Sequence, residues 1–145
     1  MRSPMLRLIT NGKDDLMTPT KKPSVLVADD DRTMRELLKA ILKSESYPIA
    51  GEVSNGIDVV MKCVELEPDI VLLDINMPKM DGIKALDEIR KAKPEIMVIM
   101  VSGEVTIDRV KEAQSKGAAG FIVKPLKPAV VLDKIGAFWE QRNNV

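Results

Sequence analysis

Pro68-Asp69-Ile70-Val71-Leu72-Leu73-Asp74-Ile75-Asn76-Met77-Pro78 decides how the 145-residue chain is read. Ile70 to Leu73 is an unbroken apolar run too short for a helix and rich in strand-forming side chains. Such a run belongs to a central strand buried on both faces. It ends in a carboxylate, Asp74, and ionised carboxylates are costly beside apolar burial unless something compensates them.

The same pattern recurs on either side. Val25 to Ala28 forms a first strand ending in Asp29-Asp30-Asp31. Pro48 to Val53 forms a second, Ile96 to Val101 a fourth ending at Ser102, and Gly120 to Val123 a fifth ending at Lys124. Helical stripes fill the gaps. Met34, Leu37, Leu38, Ile41 and Leu42 share one face of a first helix; Ile57, Val60, Met61 and Val64 mark a second, stopped by Pro68. Ile83, Leu86 and Ile89 mark a third, and Ile107 to Lys116 a fourth with Gly117 at its C-terminal end. Pro128 suits the first turn of a last helix reaching about Arg142. Each gap between strands fits one helix and two short loops. Parallel pairing through right-handed crossovers is then the economical topology, an α/β doubly wound (βα)5 sheet. Sheets of this kind place ligands beyond the carboxyl ends of their strands.

Composition narrows the chemistry. Twenty-two basic and twenty-two acidic residues cancel, and aromatic residues are 3%, so neither a phosphate-binding field nor a base-stacking surface is present for nucleic acid. With no histidine, Ser-His-Asp and Cys-His catalysis and histidine-ligated zinc are excluded. Cys63 is alone, which rules out an intrachain disulfide and fits a reducing, cytoplasmic setting. No apolar run approaches the ~20 residues of a membrane helix. Residues 1–23 read as a flexible leader rich in turn residues, with five basic side chains against two acidic ones. Its apolar stretch Met5-Leu6-Arg7-Leu8-Ile9 has a second reading, as an arm that packs on a partner.

Taken singly, the strand-end residues have plain explanations. One of Asp29-Asp30-Asp31 caps the following helix, Ser102-Gly103 is ordinary turn chemistry, and Lys124 before Pro125 is a solvated lysine. Taken together they read otherwise. Aspartates from strands one and three would crowd like charges, which raises their proton affinity or calls for a cation. Oxygen ligands without histidine or cysteine suit Mg²⁺, with Mn²⁺ as the alternative. A lysine and a hydroxyl nearby would orient a phosphoryl group, and aspartate is a phosphoryl acceptor in covalent mechanisms.

The segments VLVADDDRTMRELL, PDIVLLDINMPKMDGI, VIMVSGE and GAAGFIVKPL, in this order, resemble the receiver domain of two-component response regulators, of the single-domain CheY-like kind. The resemblance covers residues 24–142 and places the receiver at 24–145. It implies the flavodoxin-like strand order 2-1-3-4-5. It also implies phosphorylation at Asp74 and Mg²⁺ held by Asp29, Asp30, Asp74 and the backbone carbonyl of Asn76. Ser102 and Lys124 would contact the phosphoryl group, and Lys124-Pro125 would be a cis peptide. Phe121 occupies the position of the family's switch aromatic, although a plain core phenylalanine serves equally as a reading. Asn76 and Glu104 match positions that tune phosphoryl lifetime, while Pro78 and Gly82 fix the turn of the loop beside the acceptor. The donor would be a sensor histidine kinase or a phosphotransfer protein. Output would pass through the face of the fourth helix, fifth strand and fifth helix to a protein partner. No fused output domain is expected, nor any enzymatic role beyond phosphotransfer and slow autodephosphorylation; monomer and weak dimer both fit. A haloacid-dehalogenase-type phosphatase would need an aspartate where Asn76 stands. A flavodoxin-like electron carrier would need a Ser/Thr/Gly-rich loop after strand one.

Overall fold

A computed structural model describes residues 21–142. The expected leader, residues 1–23, lies outside the described residues except for Lys21, Lys22 and Pro23. Of these, Pro23 is buried, and the Lys22 ammonium sits 4.4 Å from the centroid of the Tyr47 ring.

The elements run β1 (Val25–Ala28), α1 (Arg32–Ser44), β2 (Ile49–Val53), α2 (Gly56–Leu66), β3 (Ile70–Asp74), α3 (Gly82–Ala92), β4 (Met97–Ser102), α4 (Ile107–Ser115), β5 (Gly120–Val123) and α5 (Pro128–Arg142). All pairings are parallel and the sheet order is β2-β1-β3-β4-β5. Every residue of β3 is buried, as its unbroken apolar run requires. Alternation along the strands sends side chains into two cores. Leu26, Val71, Leu73, Val98 and Met100 meet α2, α3 and α4 through Val59, Cys63, Ile83, Leu86 and Ala113. Val25, Val27, Ile70, Leu72 and Ile99 meet α1 and α5 through Leu38, Ile41, Leu42, Val131 and Ile135. The winding reverses between β1 and β3, which opens a crevice at their carboxyl ends.

Helix starts follow local capping chemistry. Asp31, Asn55, Asp81 and Thr106 each accept a hydrogen bond from a backbone N–H two or three residues on, at 2.8 to 3.1 Å. Each such cap contributes ~1 kcal/mol. Gly117 carries φ 98° just after α4, the left-handed conformation expected of a glycine there.

One helix faces otherwise than its periodicity predicts. The stripe Ile57, Val60, Met61, Val64 was expected to pack inward. Of these, Val60 is partly buried against the core, but Gly56, Val59 and Cys63 are the buried positions of α2, and Ile57, Met61 and Val64 point outward. The helix rotation is set at its first residue. The Gly56 N–H donates to the Pro78 carbonyl at 3.3 Å, and a Cβ on Gly56 would lie 1.9 Å from the Met80 carbonyl oxygen. Only a glycine lets the backbones approach so closely, and that contact turns Val59 and Cys63 to the sheet. Among the described residues no helix is long and apolar enough to cross a membrane.

Candidate functional site

The three aspartates after β1 have separate tasks. Asp31 is the cap of α1, accepting from the Thr33 N–H at 2.8 Å. That leaves Asp29 and Asp30 without a capping role. Asp29 is 1% exposed; its Oδ1 accepts from the Asp31 N–H at 2.9 Å and its Oδ2 takes the Lys124 ammonium at 2.8 Å. Arg35 anchors the same turn by donating to the Asp29 carbonyl at 2.9 Å. Asp30 is exposed at the mouth of the crevice.

Asp74, the last residue of β3, is 6% exposed and faces this pair. Carboxylate oxygens of Asp29, Asp30 and Asp74 lie within 4.8 Å of one another. Lys124 Nζ stands 3.6 Å from Asp74 as well as bonding Asp29, so one ammonium serves two buried carboxylates. The balance is incomplete. Asp74 is pushed up to about 6, first by burial and next by the Asp29 charge, against the partial relief of Lys124 and a hydrogen bond from the Asn76 backbone. Lys124 is held above its ordinary value: burial works against its charge, but the hydrogen bond to Asp29 and the charges of Asp74 and Asp29 outweigh it. Three carboxylates with one ammonium suit a hard divalent cation, which takes oxygen ligands and keeps waters for the rest. Asp29, Asp30 and Asp74 are the side chains placed to hold it.

Register brings in the rest. Asp74 pairs with Val101, so Ser102 sits one step beyond on the adjacent strand. Its hydroxyl is fully buried and accepts from the Glu104 N–H at 3.1 Å, while its carbonyl accepts from the Lys124 N–H at 3.0 Å. Both the turn reading and the proximity to Asp74 therefore hold for Ser102. Phe121 pairs with Met100 and is half-buried against the core shared with α4. The Lys124-Pro125 peptide is cis.

The loop between β3 and α3 turns at a third residue besides Pro78 and Gly82. Lys79, with φ 71°, takes the left-handed position, and Pro78 contributes its carbonyl to Gly56. Gly82 is required by proximity: a Cβ there would lie 2.0 Å from the Asp74 carbonyl oxygen. The absence of a side chain lets the start of α3 press on the strand end that carries Asp74. A further contact has no sequence signal. Asn76 Nδ2 donates to Glu104 Oε1 at 3.0 Å, joining two loops across the mouth of the crevice.

Known proteins resemble this chain closely. The family model for the response regulator receiver domain matches residues 25–136. The chemotaxis protein CheY of Thermotoga maritima is 44% identical over 111 residues, covering 77% of this chain and 92% of that protein. CheY of Bacillus subtilis is 40% identical over the same length and coverage. Among solved structures, the CheX-CheY-BeF3-Mg²⁺ complex from Borrelia burgdorferi matches with a TM-score of 0.80 and 37% identity, covering 82% of this chain and 90% of that one. The response regulator domain of Thermotoga maritima CheB matches with a TM-score of 0.76 and 36% identity, covering 86% and 98%. By sequence and by fold, the chain belongs to the CheY-type response regulator receivers of two-component signalling.

Proposed function

We propose that this receiver is a phosphorylation-dependent switch whose acceptor is Asp74. An Asp74 carboxylate oxygen attacks the phosphorus of a phosphohistidine on a sensor kinase or phosphotransfer protein. The P–O bond forms, the P–N bond breaks, and the imidazole leaves as the neutral ring, its other nitrogen having taken a proton from solvent before the transfer. Mg²⁺, or Mn²⁺ in its place, held by Asp29, Asp30, Asp74 and the Asn76 carbonyl, would neutralise the phosphoryl oxygens. Lys124 would exchange part of its pairing with Asp29 for a phosphoryl oxygen, and the Ser102 hydroxyl would turn from the Glu104 N–H toward another. Phe121, on β5 two positions before the register partner of Ser102, would follow into the space released. Asn76 and Glu104, joined over the mouth, are placed to modulate the entry of water and hence slow autodephosphorylation. The observation that carries this reading is the convergence of three carboxylates within 4.8 Å with one lysine at 2.8 and 3.6 Å from two of them. The Borrelia relative, solved with BeF3 and Mg²⁺, supports it by its ligands.

Output is assigned to protein contact on the α4-β5-α5 face. Val105, Ile107, Val123 and Val130 are large apolar side chains exposed on or beside these elements, the composition a docking surface needs. Residues 24–145 act as the receiver unit, in the cytoplasm.

Incubation with acetyl phosphate and Mg²⁺ should add one phosphoryl group by intact mass, lost on treatment with hydroxylamine and absent from Asp74→Asn. Stoichiometric label on Asp74→Asn, or none on the wild type with the cation present, would overturn the assignment.

A further inference from the structure

Of the three clustered carboxylates, Asp30 is the one that no side-chain hydrogen bond holds among the described residues. Asp29 is tied to the Lys124 ammonium and the Asp31 N–H, and Asp74 is buried beside Lys124 with a hydrogen bond from the Asn76 backbone. Asp30 is exposed, yet its carboxylate lies within 4.8 Å of the other two. Its aim must therefore come from its own backbone.

Two hydrogen bonds set that backbone. The peptide ahead of the Asp30 Cα carries the Asp29 carbonyl, which accepts from Arg35 Nη1 at 2.9 Å. The peptide behind it carries the Asp31 N–H, which donates to Asp29 Oδ1 at 2.9 Å. With both peptide planes held, the Cα–Cβ bond of Asp30 keeps one direction. Arg35 is itself fixed from outside the turn. Its Nε donates to Glu52 Oε1 at 2.9 Å, and Lys39, one turn further along α1, donates to Glu52 Oε2 at 2.5 Å. Glu52 stands on β2 in register with Val27 of β1, so the guanidinium braces the acidic turn against the sheet. An ion pair between α1 and β2 would alone contribute little. It would not call for a second arm on the carbonyl beside a ligand.

We infer that Arg35 is a positioning residue of the cation site, clamping the turn that aims Asp30 and held in place by Glu52. The inference rests on the reading of Asp29, Asp30 and Asp74 as cation ligands. Charge alone argues in the opposite direction: a guanidinium beside three carboxylates repels an incoming cation, so removing it should tighten binding. Orientation argues for weaker binding, because a group that holds a ligand in place is typically worth ~10-fold or more in metal affinity. The two effects differ in sign, and the bracing geometry favours the second.

Calorimetric titration of the unphosphorylated full chain with Mg²⁺, paired with backbone ¹⁵N relaxation, tests it. Arg35→Met removes the donors and keeps most of the stem. Its dissociation constant for Mg²⁺ should rise ~10-fold, and in the metal-free protein the heteronuclear NOE of the Asp30 amide should fall while those of Ser102 and Lys124 hold. Arg35→Lys keeps the charge and gives up the fork that reaches carbonyl and carboxylate together. It should also bind Mg²⁺ more weakly than the wild type, a loss that charge does not explain. Unchanged or tighter binding in either variant, or an unchanged Asp30 NOE in Arg35→Met, would overturn the inference and leave the cation reading intact. A wild type that binds no Mg²⁺ would overturn that reading, and the inference with it.

Discussion

Replacing Asp74 by asparagine keeps the shape of the side chain and removes one charge from a pocket of three carboxylates and one ammonium. Asp74 titrates at about 6 against an ordinary 3.8, because burial and the Asp29 charge disfavour its ionised form more than Lys124 favours it. A difference of about two units corresponds to ~3 kcal/mol. The folded state binds this proton more tightly than the unfolded chain does. The stability linked to it is therefore complete only below the unfolded value and is lost as pH rises through about 6. At pH 8 without a divalent cation the wild type bears the whole cost, and Asp74→Asn escapes it. The Lys124 ammonium, 3.6 Å away, loses one of its two partners in return. The net expectation is a variant ~2 kcal/mol more stable at pH 8, with the charge contribution falling to about half at pH 5 and to ~0.5 kcal/mol at pH 4.

Urea unfolding at these three pH values in chelator, with the slope unchanged, measures the difference directly. Repeating it with Mg²⁺ supplies the second arm. At ten times the dissociation constant the wild type should gain ~1.4 kcal/mol, and the variant, short of one carboxylate, much less. A variant less stable than the wild type at pH 8, or one that gains equally from Mg²⁺, would refute the electrostatic account of the pocket.

Lys124→Ala acts in the opposite sense. It leaves Asp29 and Asp74 without their ammonium and should cost ~3 kcal/mol at pH 8 in chelator, with Mg²⁺ recovering more than it does in the wild type; denaturant curves with and without the cation decide. Gly82→Ala drives a Cβ to 2.0 Å from the Asp74 carbonyl and should cost ~3 kcal/mol, whereas Gly136→Ala, with nothing within 4 Å on α5, should gain ~0.5–1 kcal/mol; thermal melts compare the two. Lys79→Gly relieves a left-handed residue at φ 71° and should gain ~0.5 kcal/mol, measured by denaturant midpoint.

Strands were legible because their runs offer a single reading. Ile70 to Leu73 and Val25 to Ala28 contain no polar residue to face solvent, so burial on both sides follows from composition alone. The cap of α1, one of the Asp29-Asp30-Asp31 triplet, was legible for a similar reason, since its donor, the Thr33 N–H, lies two residues from the acceptor. The orientation of α2 was not. Its eleven residues carry apolar side chains on several faces, and Ile57-Val60-Met61-Val64 is as regular a stripe as the one that packs. A backbone contact with Met80 in another loop chose between them, and no local periodicity encodes a contact of that kind.

The site divides along the same line. Parallel strands deliver their carboxyl ends to one edge, so Asp29, Asp74, Ser102 and Lys124 had to be neighbours once the topology was set. What the loops add, the Asn76 to Glu104 hydrogen bond and the left-handed Lys79, depends on loop paths that residue types alone leave undetermined. The aspartate triplet marks the boundary between the two cases. Three identical letters separate into a cap, a lysine partner and an exposed carboxylate only because Asp29 follows the last strand residue inward, whereas Asp31 already begins the helix. The resulting pocket is not balanced from within, since among the described residues one ammonium faces three carboxylates. A fold selected for stability alone would replace one of those acids with a neutral residue. Retaining all three makes sense where a cation, and a phosphoryl group brought against it, complete the charge balance.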